Sequence, residues 1–197
     1  MPYRNVGFAK GCYYHIYSRG NDKRDIFCAK SDYSKFCRHL FLYAKIHSIA
    51  IIGYCLLRYH YHLLVRQEGG DSVSKFIHKL EVSHAMYFNK KYKRTGHLFE
   101  GPFKAKLIED DSYLLTLSAY IHLNPWKHKE VKFSELENYP WSSYRSYLNY
   151  RHDLPVEKDL ILDMAGGISD YRNLVARSKQ RLVDLSTRPG LDVKGLD

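Results

Sequence analysis

Two histidines, His60 and His62, are separated by one tyrosine in a stretch with the composition of a β-strand. Residues i and i+2 of a strand project to the same face, so both imidazoles are expected on one side of it. Two imidazoles at this spacing can hold one divalent metal ion. The alternative is a pair of half-exposed strand histidines, which is unsurprising in a chain with 11 histidines.

A second pattern places Tyr120 four residues before Asn124 in a predicted helix. Residues i and i+4 lie on one helical face, so the phenol and the amide are expected to be neighbours. This arrangement could place a nucleophile beside a metal ligand at the end of the helix. The alternative is that Tyr113, Leu117 and Tyr120 form a stripe of core residues, with Asn124 as a polar residue at the helix end.

The charge of the chain is concentrated in its first part. Of 197 residues, 31 are Lys or Arg and 21 are Asp or Glu, which gives a net charge of +10. Residues 151–197 hold 8 basic and 8 acidic side chains, so the whole surplus lies in residues 1–150. A basic region with a neutral tail favours a polyanion as partner, although a basic surface without a ligand has the same composition. The 18 tyrosines and 9 phenylalanines, many beside cations, suit single-stranded nucleic acid, where bases stack on rings.

The four cysteines form no C-x-x-C pair, which argues against a zinc ribbon or a disulfide framework and predicts reduced thiols. The longest apolar run, residues 49–57, is too short to cross a bilayer. The N-terminus carries no apolar signal segment. We therefore expect a cytoplasmic protein without a membrane partner.

The elements that position these residues are predicted from hydrophobic periodicity and from capping residues. Pro125 predicts that the helix carrying Tyr120 ends at Asn124, because the residue before a proline resists the α conformation. Arg58 and Tyr59 are predicted as a tight turn between two strands. The predicted strands are 13–18, 49–57, 60–65 and 103–108; the predicted helices begin at Ser31 or Asp32, at Asp71 or Ser72 and at Asp110 to Ser112, with a short helix at 139–144 and another near 169–182.

The order β-α-β-β-α-β-α predicts an α+β fold, a ferredoxin-like sandwich with an antiparallel sheet and helices on one face. The charge boundary divides the chain into a basic domain, residues 1–150, which we expect to carry the candidate catalytic residues above, and a neutral, partly helical C-terminal extension, residues 151–197. One face or edge of such a sheet is available to a nucleic-acid strand.

Taken together, the motifs resemble the single-tyrosine HUH transposases of the insertion-sequence-200 type, and most closely the REP-associated tyrosine transposases, which act at repetitive extragenic palindromes. The resemblance covers roughly residues 10–150. It rests on five stretches in one order: Tyr14 to Asn21 (YHIYSRGN), Tyr59 to Val65 (YHYHLLV), Gly96 to Gly101 (GHLFEG), Tyr120 to Pro125 (YIHLNP) and Tyr139 to Tyr144 (YPWSSY).

The resemblance implies that His60 and His62 bind a divalent cation, Mg²⁺ or Mn²⁺, that Asn124 supplies a third ligand, and that Tyr120 is the nucleophile. The implied reaction cleaves and rejoins single-stranded DNA near hairpins through a 5′-phosphotyrosine. Relatives include monomers that act in cis and homodimers that exchange the tyrosine helix, so both states stay open. The candidate DNA contacts are Arg19, Asn21, Lys23, Arg24, Lys104 and Lys106.

The sequence departs from the family pattern at two positions. Tyr59 stands where the family commonly has Asn, and no Arg is present near Pro102; both changes affect expected DNA contacts and leave the catalytic set intact. Two alternative functions remain. One is a domesticated, non-catalytic binder of structured nucleic acid, and the other is a metal hydrolase that uses an activated water without a covalent intermediate.

Overall fold

Four antiparallel strands form one sheet in the order β2-β3-β1-β4. The computed structural model describes residues 7–69 and 73–186. With a helix after β1 and another after β3, this strand order is the ferredoxin-like arrangement, so the predicted α+β class and ferredoxin-like antiparallel sheet are confirmed. The strands are β1 (Tyr13–Arg19), β2 (Ile49–Leu57), β3 (His60–Gln67) and β4 (Lys104–Ile108).

Two helices, α1 and α2, cover one face of the sheet and pack on the inward-facing residues of β1 and β3, such as Ile16 and Leu63. The third helix, α3, crosses the opposite face over β2 and is joined there by α5 and α6. His60 and His62 project toward this second face, because Tyr61 and Leu63 belong to the first. The helices are α1 (Lys30–Ile46), α2 (Val73–Lys91), α3 (Asp111–Lys127), α4 (Tyr144–Tyr147), α5 (Asp159–Ala165) and α6 (Ile168–Ser186), and short 3₁₀ helices span Asn21–Lys23 and Phe133–Asn138.

The capping residues observed at the helix N-termini agree only in part with those predicted from the sequence. Asp110 caps α3, as predicted, by accepting a hydrogen bond from the backbone N–H of Tyr113. The prediction that Ser31 or Asp32 caps α1 is wrong, because that helix begins at Lys30 and Ala29 is its N-cap. Asp32 lies inside the first turn instead and accepts hydrogen bonds from the N–H groups of residues 28 and 29. The predicted caps of α2, Asp71 and Ser72, lie outside the described residues.

Asp32 is also the centre of a buried polar cluster that joins α1 to α2. Its carboxylate accepts hydrogen bonds from Lys91, Tyr87 and Tyr92. Burial alone would raise the pKa of this carboxyl, but the hydrogen bonds from Lys91, Tyr92 and the two N–H groups outweigh burial and lower the pKa to about 2. The charged form of Asp32 therefore stabilises the fold.

We expect Asp32→Asn to lower the free energy of unfolding at neutral pH by about 2–4 kcal/mol, because it leaves Lys91 without its buried counter-charge. The wild-type contribution is present above the ordinary carboxyl pKa of 3.8 and is lost as pH falls toward 2, since the folded-state pKa is depressed. Urea denaturation from pH 7 to pH 2.5 measures this loss. Asp163→Asn, at an exposed position of α5, is the matched control; an equal acid dependence in both variants would contradict the role of Asp32.

The prediction that Pro125 ends α3 at Asn124 is wrong, because the helix continues to Lys127. Proline lacks the N–H that would bond to the carbonyl four residues earlier, at Ile121. The side-chain amide of Asn124 substitutes for it by donating to the carbonyls of Tyr120, at 3.0 Å, and Ile121, at 3.4 Å. One side chain thus allows the helix to pass through the proline.

The segment after the second 3₁₀ helix differs from the predicted short helix at 139–144. Residues 141–143 run beside the outer edge of β2, where Leu56 N–H donates to Trp141 O and Ser143 N–H donates to Tyr54 O. The helical turn begins only at Tyr144. This pairing satisfies part of the sheet edge that β2 would otherwise expose.

The C-terminal extension packs directly on α3. It contains α5, which the sequence analysis did not predict, and α6, which extends the predicted helix to Ile168–Ser186. Tyr171 of α6 is fully buried, and its hydroxyl lies 2.7 Å from His122 Nδ1 and 3.0 Å from Ser118 Oγ. No helix among the described residues is long and apolar enough to cross a membrane.

We expect Tyr171→Phe to destabilise the fold by about 1–3 kcal/mol, because it leaves the buried His122 Nδ1 without this partner. Guanidinium denaturation measures the change. Tyr150→Phe is the control: this tyrosine is half exposed and should change stability by less than about 0.5 kcal/mol. A change below about 0.5 kcal/mol in Tyr171→Phe would show that the hydrogen bond of the Tyr171 hydroxyl to His122 does not stabilise the fold.

Candidate functional site

β3 presents His60 and His62 on the face that α3 crosses. The imidazole rings lie 5.1 Å apart between centroids and are nearly perpendicular. Both side chains are buried. The strand alternation expected from the sequence therefore brings these two histidines together.

α3 runs along the same face and presents three residues at one-turn spacing. The ring of Tyr120 lies 6.4 Å from that of His62, and the ring of His128, just beyond the helix, lies 4.4 Å from that of His60. Asn124 occupies the turn between them, about 6 Å along the helix from each. The two ends of this stretch of helix are thus fixed against the two strand histidines, with the amide between them.

His62 is held by a neighbour on β1. Its Nδ1 lies 3.0 Å from Nε2 of His15, while its Nε2 is buried without a hydrogen-bond partner among the described residues. Burial, followed by the nearby charges of His15, His60, His128 and Lys127, lowers the pKa of His62 well below its usual value. Burial, followed by the charge of Lys106, lowers the pKa of His15 to about 4. Both imidazoles are therefore neutral at physiological pH, the form in which histidine binds metals.

The orientation of the Asn124 side chain is set by its hydrogen bonds to the backbone of α3. Because its Nδ2 donates to two backbone carbonyls, its Oδ1 projects the other way. That oxygen is buried and has no hydrogen-bond partner within the described residues. A buried amide oxygen without a donor is a candidate ligand for a cation.

Tyr120 is almost fully buried, at 4% exposure. Lys127 donates to its hydroxyl at 2.6 Å, and the ammonium lies 4.9 Å from the centre of the phenol ring. A cation therefore contacts the oxygen that the sequence analysis assigned as nucleophile.

The donor set fits a divalent cation. Across residues 7–69 and 73–186, no group of three His, Cys, Asp or Glu side chains could hold a metal ion, so a metal at the two histidines needs a third donor of another type. Asn124 Oδ1 is a buried amide oxygen and His62 Nε2 is a buried imidazole nitrogen, and neither has a hydrogen-bond partner among the described residues. Two imidazoles with one amide oxygen leave further positions for phosphate oxygens or water.

A cleft of about 260 Å³ opens beside the histidines. Among the predicted DNA contacts, Arg19, Lys23 and Lys104 line this cleft, whereas the other three, Asn21, Arg24 and Lys106, do not. Arg19 forms an ion pair with Glu100, another lining residue. The remaining lining residues are Tyr17, Ser18, Tyr59, His60, His62, Pro102 and His128; Tyr120 is not among them.

A comparison with family models identifies the protein's relatives. The family described as "Transposase IS200 like" matches residues 8–124, more than half of the chain. The chain belongs to the IS200-like transposase family. The family resemblance inferred from the sequence is confirmed, and this IS200-like protein is assigned to a group of DNA-cleaving enzymes.

Solved structures show the same fold. A REP-associated tyrosine transposase bound to a REP hairpin matches with a TM-score of 0.63 and 16% identity, over 81% of this chain and 93% of that one. A candidate transposase from Deinococcus radiodurans R1 matches with a TM-score of 0.43 and 11% identity, over 56% of this chain and 89% of that one, and adds nothing to the fold assignment. None of the curated proteins matches the sequence.

Sequence reasoning missed four residues around the site of this IS200-like transposase: His15, Tyr59, Lys127 and His128. Tyr59, noted only as a departure from the family pattern, has its hydroxyl 2.9 Å from His128 Nδ1 and its ring 4.4 Å from that of His60. Helical spacing could have predicted His128, since positions 120, 124 and 128 share a helical face. The expectation that the helix ends before Pro125 excluded it.

Proposed function

We propose that this transposase cleaves and rejoins single-stranded DNA beside a hairpin through a 5′-phosphotyrosine formed on Tyr120. In this proposal His60, His62 and Asn124 hold a divalent cation, Mg²⁺ or Mn²⁺. The observation that supports it most is the course of α3, which brings Tyr120 against His62 and His128 against His60, with Asn124 one helical turn from each. The buried Oδ1 of Asn124 and Nε2 of His62 are available for a ligand.

The chemistry assigned to the chain is an exchange of phosphate esters. The Tyr120 oxygen attacks the scissile phosphorus as the phenol loses its proton, and the bond from phosphorus to the 3′-oxygen breaks as that oxygen gains a proton. The products are a 5′-phosphotyrosine and a free 3′-OH. A cation bound at the site would polarise the phosphate and stabilise its developing charge. Lys127 holds a positive charge at the attacking oxygen. Because one ester replaces another, an incoming 3′-OH can reverse the step and join two strands.

Substrate choice rests on the charge of the chain and on its fold relative. Residues 1–150 carry the whole net charge of +10, and the solved REP-associated transposase is bound to a REP hairpin. We assign hairpin DNA with a single-stranded flank as substrate, and residues 1–150 as the catalytic part.

Single-stranded hairpin DNA libraries incubated with the protein and Mg²⁺ test this proposal. The expected result is a covalent adduct that protease digestion and mass spectrometry map to Tyr120. Cleavage without an adduct would replace the proposal with a hydrolase that uses activated water. Hairpin binding with neither cleavage nor adduct, in Mg²⁺ and in Mn²⁺, would replace it with a non-catalytic binder.

A further prediction concerns Lys104, which lines the cleft, is exposed and lies 5.7 Å from the ring of Tyr17. Lys104→Gln should lower the slope of log affinity against log salt for single-stranded DNA by about 0.7, since it removes one phosphate contact. Fluorescence anisotropy at several salt concentrations measures the slope. Lys79→Gln, at an exposed position on α2, should leave it unchanged; equal slopes for the two variants would remove Lys104 from the DNA path.

A further inference from the structure

His15 has no role in the function proposed above, yet it makes a direct side-chain contact with His62. It lies on β1, between Leu64 of β3 and Lys106 of β4 in the strand register. Its ring is stacked on that of His62, with centroids 5.3 Å apart and planes 16° apart, and on the ring of Tyr17, with centroids 4.9 Å apart. Both histidines are about 2% exposed, so the orientation of each ring is fixed by its neighbours.

The contact between the two imidazoles decides which nitrogen of His62 carries a proton. The 3.0 Å separation of His15 Nε2 and His62 Nδ1 is a hydrogen bond, in which one nitrogen donates and the other accepts. When His62 Nδ1–H donates, His62 Nε2 retains its lone pair. When His15 Nε2–H donates, the proton of neutral His62 lies on Nε2, which can then bind no cation.

The surroundings of His62 Nε2 favour the first arrangement. This nitrogen is buried, has no hydrogen-bond partner in the described part of the chain, and belongs to a residue that lines the cleft. A proton there would be a buried donor without an acceptor, which is unfavourable. Metal-binding histidines generally donate their second N–H to a neighbouring acceptor, and that hydrogen bond fixes tautomer and ring direction.

We propose that His15 is a positioning residue: its Nε2 accepts the Nδ1–H of His62 and so keeps His62 Nε2 unprotonated and directed at the cation site. The inference rests on the metal site of the proposed function. It assigns His15 no contact with DNA and none with the metal. An imidazole takes the place of the carboxylate or carbonyl that commonly accepts this hydrogen bond.

The tautomer can be measured on the metal-free wild-type protein. Nitrogen-15 histidine labelling with two-bond correlation spectra distinguishes the Nδ1–H from the Nε2–H form, and spectra of His62→Ala and His15→Gln assign the signals among the 11 histidines. The expected result is His62 protonated on Nδ1 and His15 protonated on its own Nδ1. His62 protonated on Nε2 would overturn the proposal.

Metal affinity provides a second readout. Mn²⁺ titrations followed by electron paramagnetic resonance should show about 10- to 100-fold weaker binding in His15→Phe, which keeps a ring but accepts no hydrogen bond. His15→Gln, whose side-chain oxygen can accept, should lose less, and His78→Gln on the exposed side of α2 should bind like wild type. Wild-type affinity in His15→Phe would overturn the proposal.

These measurements test the positioning role of His15 independently of the phosphotyrosine mechanism. If His15→Phe fails to fold, the wild-type tautomer and the affinity of His15→Gln still decide the role of His15. A wild-type protein that binds Mn²⁺ in a His15-dependent way but forms no DNA adduct would retain the positioning role and reject the phosphotyrosine mechanism. An adduct at Tyr120 together with unchanged Mn²⁺ affinity in His15→Phe would retain the phosphotyrosine mechanism and reject the positioning role of His15.

Discussion

Tyr120→Phe should bind hairpin DNA nearly as well as the wild type and form no covalent adduct. The change removes one oxygen and keeps the ring that packs against His62, so α3 should retain its place. It also removes the hydrogen bond from Lys127, a loss of about 1–3 kcal/mol in stability that does not prevent folding. Without the phenol oxygen, only a slow reaction with water remains, and strand cleavage should fall by several orders of magnitude. Denaturing gels with end-labelled DNA measure both cleavage and adduct.

Tyr113→Phe is the matched control, because this tyrosine lies two turns earlier on the same helix and its hydroxyl accepts a hydrogen bond from Lys106. It should form the adduct at close to the wild-type rate. A phosphotyrosine mapped to Tyr113, or full cleavage by Tyr120→Phe, would refute the assignment of the nucleophile.

The sequence predicts best where local periodicity is enough. Alternation along β3 predicted that His60 and His62 share a face, and helical spacing predicted that Tyr120 and Asn124 are neighbours. The ferredoxin-like order of strands follows from the pattern of elements, and the structure confirms it. The two shared faces depend only on contacts within one strand or one helix, and the strand order follows from the succession of strands and helices along the chain.

Features that depend on the register between distant strands could not be predicted. The contact of His15 with His62 requires that β1 pair with β3 in one particular register, with Tyr17 opposite His62. The contact of His128 with His60 requires α3 to continue beyond Pro125. The local rule predicts that the helix ends before a proline, but here the side-chain amide of Asn124 donates to the Ile121 carbonyl that the proline leaves without a backbone donor. The sequence could thus predict that Asn124 is a neighbour of Tyr120, but it could not predict that the Asn124 side chain bonds to the helix backbone.

The C-terminal extension shows a similar limit. Its balanced charge indicated correctly that the basic surplus lies elsewhere, but charge carries no information on packing. In the structure, Tyr171 of α6 reaches His122, which lies between Tyr120 and Asn124 in the sequence and faces away from the cleft toward Ser143. The extension therefore supports the back of the helix whose front carries the proposed nucleophile.

The largest expected effect on metal binding comes from the histidine pair. His60→Ala and His62→Ala should each reduce adduct formation to below about a hundredth of the wild-type rate, and the double variant should form none. Charge stabilisation by a bound cation is worth several kcal/mol in the transition state, and each 1.4 kcal/mol corresponds to a factor of ten in rate. Mn²⁺ affinity should fall in parallel, since each change removes one of three proposed ligands. His78→Ala, exposed on α2, is the control for loss of a histidine.

The two single variants should differ in stability, and this difference separates a metal role from a structural one. His62 is stacked on His15 and hydrogen-bonded to it, so His62→Ala leaves a buried cavity and an unpaired His15, at a cost of about 2–4 kcal/mol. His60 lies nearer the cleft rim, at 8% exposure against 2% for His62, and its removal should cost less. Equal losses of activity with unequal losses of stability would therefore follow from a shared metal site and not from unfolding. Thermal unfolding and adduct assays at 20 °C on the same preparations test this. A double variant that still cleaves at the normal rate in Mg²⁺ would remove the metal site from β3.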